Sequence, residues 1–397
     1  MAASAALPAI AWAAFETIRI GIIAEMSTLP GAAIPKGAAM AADEINAKGG
    51  VLGRPLQLVV YDDHVSAAEA VKAFQRLASQ DKVVAVLGSF ISEVALALEP
   101  WSARLRIPYI TSAASNAITR QVHDDYDRYK YTFEGWFSSY LIAESTCDAA
   151  RDLLVDQLHM KSSVIMSEDA AWTTSLDAAY LELLPKAGIE VLDQIRFSPD
   201  TTDFAPIFNK IQAKKPDVIM TGLAHVGVVP TVQWAEARVP IPMFGVNLQA
   251  TSSDFWKDTH GAAAGANCQT CAGSDSALTP KTVPFTEAYR RRYGLPPAFA
   301  GYTTYDMVYV LAEAIGREKS PEADKLVAGI EATDYVGTIG RLVFYGRNDR
   351  FTHAVRYGPD FVPSVIIQWQ DAQMKTIWPL KYATAKISFP SFVKLPT

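Results

Sequence analysis

The chain has 397 residues, of which 50% are hydrophobic and 20% are charged, and its formal net charge is −6. This composition favours packed cores over disorder, and the length exceeds the roughly 250–300 residues at which one hydrophobic core usually stops growing. Because of this length, we expect at least two lobes. The acidic balance and the lack of Lys/Arg-rich runs argue against a nucleic-acid or membrane-surface partner.

The first residues of the chain are apolar and mostly small. They resemble the end of a secretory signal, because Ala11-Trp12-Ala13 matches an A-x-A cleavage pattern, although no basic residue precedes it. We predict a leader remnant over residues 1–15 and a periplasmic or otherwise extracytoplasmic, secreted protein; a disordered tail is the alternative. No later stretch reaches the roughly 18 apolar residues that span a bilayer.

Strands and helices alternate in the first third of the chain. Short apolar runs predict strands at 18–23, 56–61, 83–88 and 108–111, and helical spacing predicts helices at 35–48, 66–79 and 92–105. The first helix is expected to begin at Pro35 and to stop before Gly49-Gly50. Repeated β-α units of this length indicate an open parallel sheet with helices on both faces.

The same alternation restarts after Trp136. Helices are predicted at 140–158, 174–187, 284–293 and 304–317, and strands at 163–166, 190–195, 218–221, 242–246, 341–344 and 365–369. This pattern predicts a second α/β lobe, and the chain does not finish one lobe before it enters the other. Ligands of open α/β sheets bind beyond the carboxyl ends of the strands, so the cleft between the lobes is the predicted site.

No catalytic or metal-binding constellation is present. Cys147, Cys268 and Cys271 cannot build a disulfide framework, and the C-x-x-C formed by the last two lacks the further ligands of a zinc site. We expect this pair within a strand-like segment, 265–273, as thiols or as one local bridge. Asp62-Asp63-His64 is too small a group to indicate a metal. G-x-S-x-G, H-E-x-x-H, P-loop and strand-linked G-x-G-x-x-G motifs are missing, so no enzyme, metal or cofactor is predicted.

Several runs resemble the leucine/isoleucine/valine-binding proteins of ABC importers. They are Ala41 to Pro55, Val60 to Asp63, Gly88 to Ser92, Ile110 to Asn116, Tyr305-Asp306 and Gln368 to Gln370. The resemblance covers nearly the whole chain and implies the type I periplasmic binding protein fold, in which two doubly wound parallel-sheet lobes are joined by three crossovers. Residues 16–135 plus 272–345 would form the N-terminal lobe, and 136–271 plus 346–390 the C-terminal lobe.

The resemblance also implies a function. Such a protein closes its lobes on a small carboxylate ligand and delivers it to an ABC permease in the inner membrane. The family's carboxylate clamp falls on Ser92 and on Ala114 with Ser115. The two serines each lie between a predicted strand and a helix, where free N–H groups and the helix dipole favour an anion. Simple helix capping by these serines is the alternative.

The second-lobe positions depart from the pattern of an amino-acid site. An aromatic residue that closes over the ligand falls on Trp172, which offers a flat face and one donor, and a second aromatic position falls near Ala224 and His225. The acidic residue that pairs with an ammonium group falls on Asn247. A buried ammonium without a counter-ion costs several kcal/mol. Related binding proteins without the ammonium site take up aromatic or other carboxylic acids, so the resemblance implies an aromatic or other non-amino organic acid as the ligand.

Some assignments stay open at this point. Trp136 and Tyr302 are predicted to extend the aromatic wall, with packing between the lobes as the alternative, and Glu134 could supply the missing acid. A branched-chain amino acid binding protein, or an amide or amino-acid sensor of the same fold, is the alternative function, since fold alone does not decide function.

Overall fold

Apolar β-branched residues form the first strand of a five-stranded parallel sheet. The computed structural model describes residues 17–396, so the predicted leader with its Ala11–Ala13 pattern lies outside the described residues. The strand order is β2-β1-β3-β4-β5. The strands are β1 (Ile18–Ala24), β2 (Leu56–Asp62), β3 (Ala85–Gly88), β4 (Tyr109–Thr111) and β5 (Thr132–Glu134). Ile18, Ile20 and Ile22 are fully buried in the core of this lobe.

The helices of this part of the chain are α1 (Leu29–Ala47), α2 (Ala67–Arg76), α3 (Ser92–Leu105), α4 (Asn116–Asp124) and α5 (Tyr126–Tyr129). The predicted start of α1 at Pro35 was wrong, because Thr28 caps the helix earlier: its Oγ1 accepts the Gly31 N–H at 3.1 Å. Pro30 then occupies the first turn, where its missing N–H costs nothing. Pro35 lies inside the helix.

A second parallel sheet has the strand order β7-β6-β8-β9. Its strands are β6 (Ser162–Glu168), β7 (Glu190–Phe197), β8 (Val218–Leu223) and β9 (Met243–Asn247). The helices of this region are α6 (Ser139–Ala150), α7 (Ala171–Leu183), α8 (Ala205–Lys214), α9 (Val228–Glu236) and α10 (Phe255–Asp258). All residues of β8 and β9 are buried, as expected of central strands covered by helices on both faces.

The rest of the chain returns to both lobes. Its elements are β10 (Asn267–Thr270), α11 (Thr282–Tyr293), α12 (Phe299–Glu318), α13 (Ala323–Glu331), β11 (Tyr335–Val336), β12 (Arg341–Leu342), β13 (Val365–Gln370) and β14 (Gln373–Trp378). Strand β13 pairs antiparallel with β10 and β14 beside the second sheet, whereas α12 packs against α1 of the first lobe. That contact needs glycine, because a Cβ on Gly37 would lie 2.3 Å from the Gly301 carbonyl oxygen.

The chain passes between the lobes after β5, after β10 and after β12. The predicted fold of two doubly wound lobes is thereby confirmed, and the exact residues that divide the lobes stay a prediction. Among residues 17–396, no helix is both long and apolar enough to cross a bilayer.

The cysteines are buried free thiols. Cys268 lies in β10 and Cys271 directly after it, so the expectation of a strand-like segment is confirmed, and the alternative of a local bridge was wrong. Burial raises the pKa of the Cys268 thiol to about 12, which keeps it protonated and unreactive at neutral pH.

Two carboxyl groups are fully buried where β5 leaves the first lobe. Glu99 lies on α3 and Glu134 ends β5, and none of their four oxygen atoms has a hydrogen-bond partner within residues 17–396. Burial raises the pKa of Glu99 to about 9. Burial also raises the pKa of Glu134 well above its usual value, and the charge of Glu99 adds to this effect. Both side chains therefore favour the protonated form inside the fold.

Candidate ligand-binding site

A cavity lies between the lobes at the carboxyl ends of strands from both sheets. The space between its walls is about 580 Å³, which includes volume that is open to solvent. Most of its wall is apolar and consists of Phe90, Ile91, Ala114, Trp136, Ile142, Trp172, Ala224, Val246, Leu248 and Phe299. The polar lining residues are Ser92, Ser112, His225, Gln269 and Thr270. An open cleft adjoins the cavity and shares His225 with it.

The first-lobe wall ends in an uncapped helix start. Ser92 is the first residue of α3, and the preceding Ile91 has no side chain that could cap the helix. The Ser92 Oγ accepts the Ser115 N–H at 3.1 Å and so ties the loop after β4 to α3. Ser115 caps α4 through the Ala117 N–H at 3.4 Å and does not line the cavity, whereas Ser92 and Ala114 do. The first-turn N–H groups of α3 therefore lie next to the cavity, where they favour an anion.

A buried carboxylate, Glu168, organises the second-lobe wall. It ends β6, and its Oε2 accepts the N–H groups of Ala224 and His225, both at 2.9 Å. Its Oε1 accepts the indole N–H of Trp172 at 3.1 Å and lies 2.6 Å from His225 Nδ1. Glu168 was not among the predicted site residues. The available signal was an acidic residue two positions after a predicted strand and four positions before Trp172.

Glu168 and His225 shift each other's proton affinity. Burial alone would raise the pKa of Glu168, but the hydrogen bond and charge of His225, with the N–H donors of Ala224 and Trp172, lower it below its usual value. The hydrogen bond to Glu168 raises the pKa of His225, although burial opposes this, and the charges of Glu168 and Glu93 add to the rise. The pair therefore favours imidazolium and carboxylate.

Trp172 lines the cavity and keeps only 7% of its surface exposed. The expected free donor on this side chain was wrong, because its indole N–H is already bonded to Glu168. Arg196 fixes the start of α7 through Asp169 at 2.7 Å and Asp177 at 2.6 Å. The Trp172 ring, in the first turn of α7, is thus held by Glu168, and it can contribute packing to a ligand but no hydrogen bond from its N–H.

Trp136 forms the aromatic floor of the cavity together with two residues that the sequence analysis missed. Phe90 and Phe299 meet edge to face with ring centroids 6.0 Å apart, and Trp136 lies 6.5 Å from Phe299. Trp136 also stacks on its sequence neighbour Phe137 at 4.3 Å. It lines the cavity, and its contact with a ligand stays a prediction.

Asn247 does not line the cavity, although its neighbours Val246 and Leu248 do. Its Nδ2 donates to Thr231 Oγ1 at 3.2 Å and to the Gly227 carbonyl at 3.4 Å, and it borders a separate small void. Through its bond to Gly227, Asn247 holds the loop that carries His225. The two residues are so close that a Cβ on Gly227 would lie 2.1 Å from Asn247 Oδ1. A direct contact between Asn247 and the ligand is therefore not supported.

Tyr302 also lies outside the cavity lining. Its hydroxyl is 2.6 Å from Thr286 Oγ1, and its ring packs at 5.2 Å from that of Phe285. The packing alternative describes this residue. Glu134 does not line the cavity either, so it does not supply an acid there. Within residues 17–396, no group of three or more His, Cys, Asp or Glu side chains is arranged to hold a metal.

The lobes touch beside the site. Glu93, on α3, accepts the Ala171 N–H at the start of α7 at 2.9 Å. Ser139, which begins α6, places its Oγ 2.6 Å from the Ala114 carbonyl and 2.8 Å from the Trp172 carbonyl. One hydroxyl thus joins a wall residue of each lobe, so the relative position of the lobes is coupled to the shape of the cavity.

We expect Asn247→Asp to destabilise the fold without creating affinity for leucine. The new carboxylate loses both donor bonds and is directed at the Gly227 carbonyl, a loss of about 1–3 kcal/mol in the free energy of unfolding. Urea denaturation and calorimetric titration with leucine measure the two effects. A gain in leucine affinity would return Asn247 to the ligand site.

Comparisons with known proteins extend over most of the chain. A family model described as "Periplasmic binding protein" matches residues 17–358. The chain is 27% identical to a Leu/Ile/Val-binding protein homolog from Brucella abortus, over 97% of either chain. A putative branched-chain amino acid ABC transporter from Silicibacter pomeroyi has a TM-score of 0.83 at 20% identity, over 95% of this chain and 100% of that one. A solute-binding protein from R. palustris, solved with benzoate, has a TM-score of 0.75 at 17% identity, over 95% and 99%. At these identities the two solved structures establish likeness of fold alone.

Proposed function

Because the chain belongs to the periplasmic binding protein family, we propose that its ligand is a small aromatic or other organic acid without an amino group. As the solute-binding component of an ABC importer, the protein would hold this acid between its lobes outside the cytoplasm and present it to the permease in the inner membrane. Lobe closure removes the ligand from water and adds contacts from the second lobe, which is what makes closure favourable.

The chemistry of the cavity wall carries this proposal. No Asp or Glu is among the lining residues in the described part of the chain. The second lobe instead presents the Trp172 ring and the His225 imidazole, whose pKa is raised by Glu168. An ammonium group would face an imidazolium rather than a carboxylate, and a buried charge without a partner costs several kcal/mol. A flat apolar acid avoids that cost.

The first lobe supplies the complementary end. The start of α3 and the loop at Ala114 offer backbone N–H groups and the Ser92 hydroxyl, which suit a carboxylate. Each hydrogen bond to a charged group contributes roughly 1.5–3 kcal/mol, so three or four could provide much of the roughly 8 kcal/mol of micromolar binding.

A branched-chain amino acid is the second candidate ligand. The Brucella relative is named as a Leu/Ile/Val-binding protein homolog, whereas the R. palustris protein was solved with benzoate. The missing carboxylate in the lining favours the acid without an amino group. An amide sensor of the same fold would bind acetamide, which carries no charge for the α3 start to stabilise.

Calorimetric titration of the purified protein with benzoate, leucine, isoleucine and acetamide tests the proposal. Benzoate is expected to bind, and at a hundredfold excess over its dissociation constant to add about 2.7 kcal/mol to the free energy of unfolding. Binding of leucine or isoleucine but not of benzoate would contradict the proposal.

Two matched serine variants test the carboxylate end. We expect Ser92→Ala to weaken benzoate binding at least about tenfold, since it removes a hydroxyl donor and the acceptor of the Ser115 N–H. Ser112→Ala is the control, because the Ser112 hydroxyl also lines the cavity but is paired with Thr303 at 2.8 Å. Equal losses in the two variants would argue against a clamp at α3.

A further inference from the structure

His225 has one ring nitrogen committed and one left for the cavity. Its Nδ1 lies 2.6 Å from the fully buried Glu168 carboxylate, and its backbone N–H is bonded to the same group. Gln249 donates to its carbonyl at 2.8 Å. The Nε2 has no hydrogen-bond partner within residues 17–396, and 34% of the side chain is exposed toward the cavity and the adjoining cleft. The imidazole is therefore held from behind, with its second nitrogen available to a ligand.

The charge of the pair restricts what Nε2 can bind. When His225 is protonated, the imidazolium and the Glu168 carboxylate sum to zero, so a second anion on the ligand would be buried without a net counter-charge. When His225 is neutral, its Nδ1 donates to Glu168 and its Nε2 becomes an acceptor. A ligand hydroxyl satisfies both states, because it can accept from Nε2–H and donate to bare Nε2.

Both lobes line the cavity. Ser92 and Ala114 belong to the first lobe and His225 to the second, and most of the remaining wall is apolar or aromatic. A carboxylate bound at the α3 start therefore leaves another part of the ligand to meet the second-lobe wall, which includes His225. An unsubstituted ring would leave the imidazole Nε2 facing carbon, so this nitrogen would lose contact with solvent without gaining a hydrogen bond.

We propose, on the basis of the proposed function, that the ligand is a hydroxylated carboxylic acid whose hydroxyl is bound by His225 Nε2. Glu168 acts as the positioning residue, since it fixes the ring and its tautomer. The site then selects hydroxylated over plain acids in the way that a buried polar group rejects ligands that leave it unpaired.

This selectivity depends on pH. The groups that face His225 are Glu168 from β6 and Glu93 from α3, and both favour its protonated form; Asp258 from α10 lines the adjoining cleft. A charged donor makes the stronger hydrogen bond, so the preference for the hydroxylated acid falls as pH rises through the pKa of His225. In Glu168→Gln that fall moves to lower pH, because the charge that raises the pKa is gone.

Calorimetric titration with benzoate, 4-hydroxybenzoate and 4-(aminomethyl)benzoate tests the proposal on the full chain. We expect 4-hydroxybenzoate to bind about tenfold more tightly than benzoate and the ammonium-bearing acid to bind most weakly. The ratio between the first two should fall to about one in His225→Phe and only partly in His225→Gln, which keeps a donor. His64→Phe, at an exposed histidine, is the matched control and should leave the ratio unchanged.

The outcomes separate the two proposals. If benzoate and 4-hydroxybenzoate bind equally well to the unchanged protein, or if the ratio survives in His225→Phe, the hydroxyl site is overturned while the proposed function stands. If neither acid binds, both are overturned. A pH midpoint that does not move in Glu168→Gln would remove Glu168 from its positioning role, and melting curves of each variant establish that it is folded.

Discussion

Glu168→Leu is expected to lower the free energy of unfolding by about 3 kcal/mol, the lower end of the range for breaking a buried charge pair, because the imidazole is partly solvated. The substitution removes the hydrogen-bond acceptor of the Ala224 and His225 N–H groups, of the Trp172 indole N–H and of the His225 imidazole. Since these groups form the second-lobe wall, affinity for any ligand should fall in parallel. Urea denaturation with calorimetric titration measures both losses.

The pH dependence identifies the ion-pair part of this effect. The lowered pKa of Glu168 gives stability that is present above its ordinary value of 4.5 and lost as pH falls through the folded value. The raised pKa of His225 gives stability that is present below 6.5 and lost as pH rises through the folded value. The difference between Glu168→Leu and the unchanged protein should therefore be largest between about pH 4.5 and 6.5. Glu182→Leu, at an exposed glutamate, is the control. If Glu168→Leu lowers the free energy of unfolding no more than Glu182→Leu does, Glu168 does not organise the second-lobe wall.

Glu99→Gln is expected to stabilise the protein at neutral and alkaline pH. The pKa of Glu99 is raised to about 9, so the fold resists its ionisation. For a raised acid pKa, stability is complete below the unfolded value near 4.5 and is lost as pH rises toward the folded value, at about 1.4 kcal/mol per pH unit. The neutral amide removes that loss, which amounts to roughly 3 kcal/mol at pH 7.

Denaturation of both proteins at pH 5, 7 and 8.5 checks this expectation. The advantage of Glu99→Gln should be near zero or slightly negative at pH 5, since an amide also needs partners that this site does not provide, and should grow at each higher pH. Glu287→Gln on α11 is the exposed control and should show no trend. A pH-independent difference would mean that Glu99 is ionised, or solvated, in the folded protein.

The sequence predicted the order of the strands and helices because their apolar periodicity is local. Ser92, Ala114 and Trp172 were placed near the ligand by the resemblance to the leucine/isoleucine/valine-binding proteins. The face of a strand is harder to predict. Successive side chains point to opposite sides, so Val246 lines the cavity while the adjacent Asn247 points away, although a family position locates both equally well along the chain.

Other site residues depend on contacts between distant segments. Phe90 and Phe299 meet across 209 positions of sequence, and only the packing of α12 beside β3 brings their rings together. Glu168 carries no motif of its own; its role follows from the loop after β8, whose N–H groups turn toward it. Local pattern cannot reveal such convergence, because the partners are chosen by the tertiary fold.

The close approach of α1 and α12 at Gly37 and Gly301 bears on the order in which the lobes can fold. The parallel sheet of the second lobe comes from one continuous segment, residues 162–247, whereas the first lobe needs a helix that is synthesised more than 250 residues after α1 begins. Contacts between residues so far apart in sequence are slow to form, because the entropy cost of closing the loop arises before the contact stabilises the fold. The first lobe begins the chain, and its core therefore stays accessible beside α1 until α12 has been made.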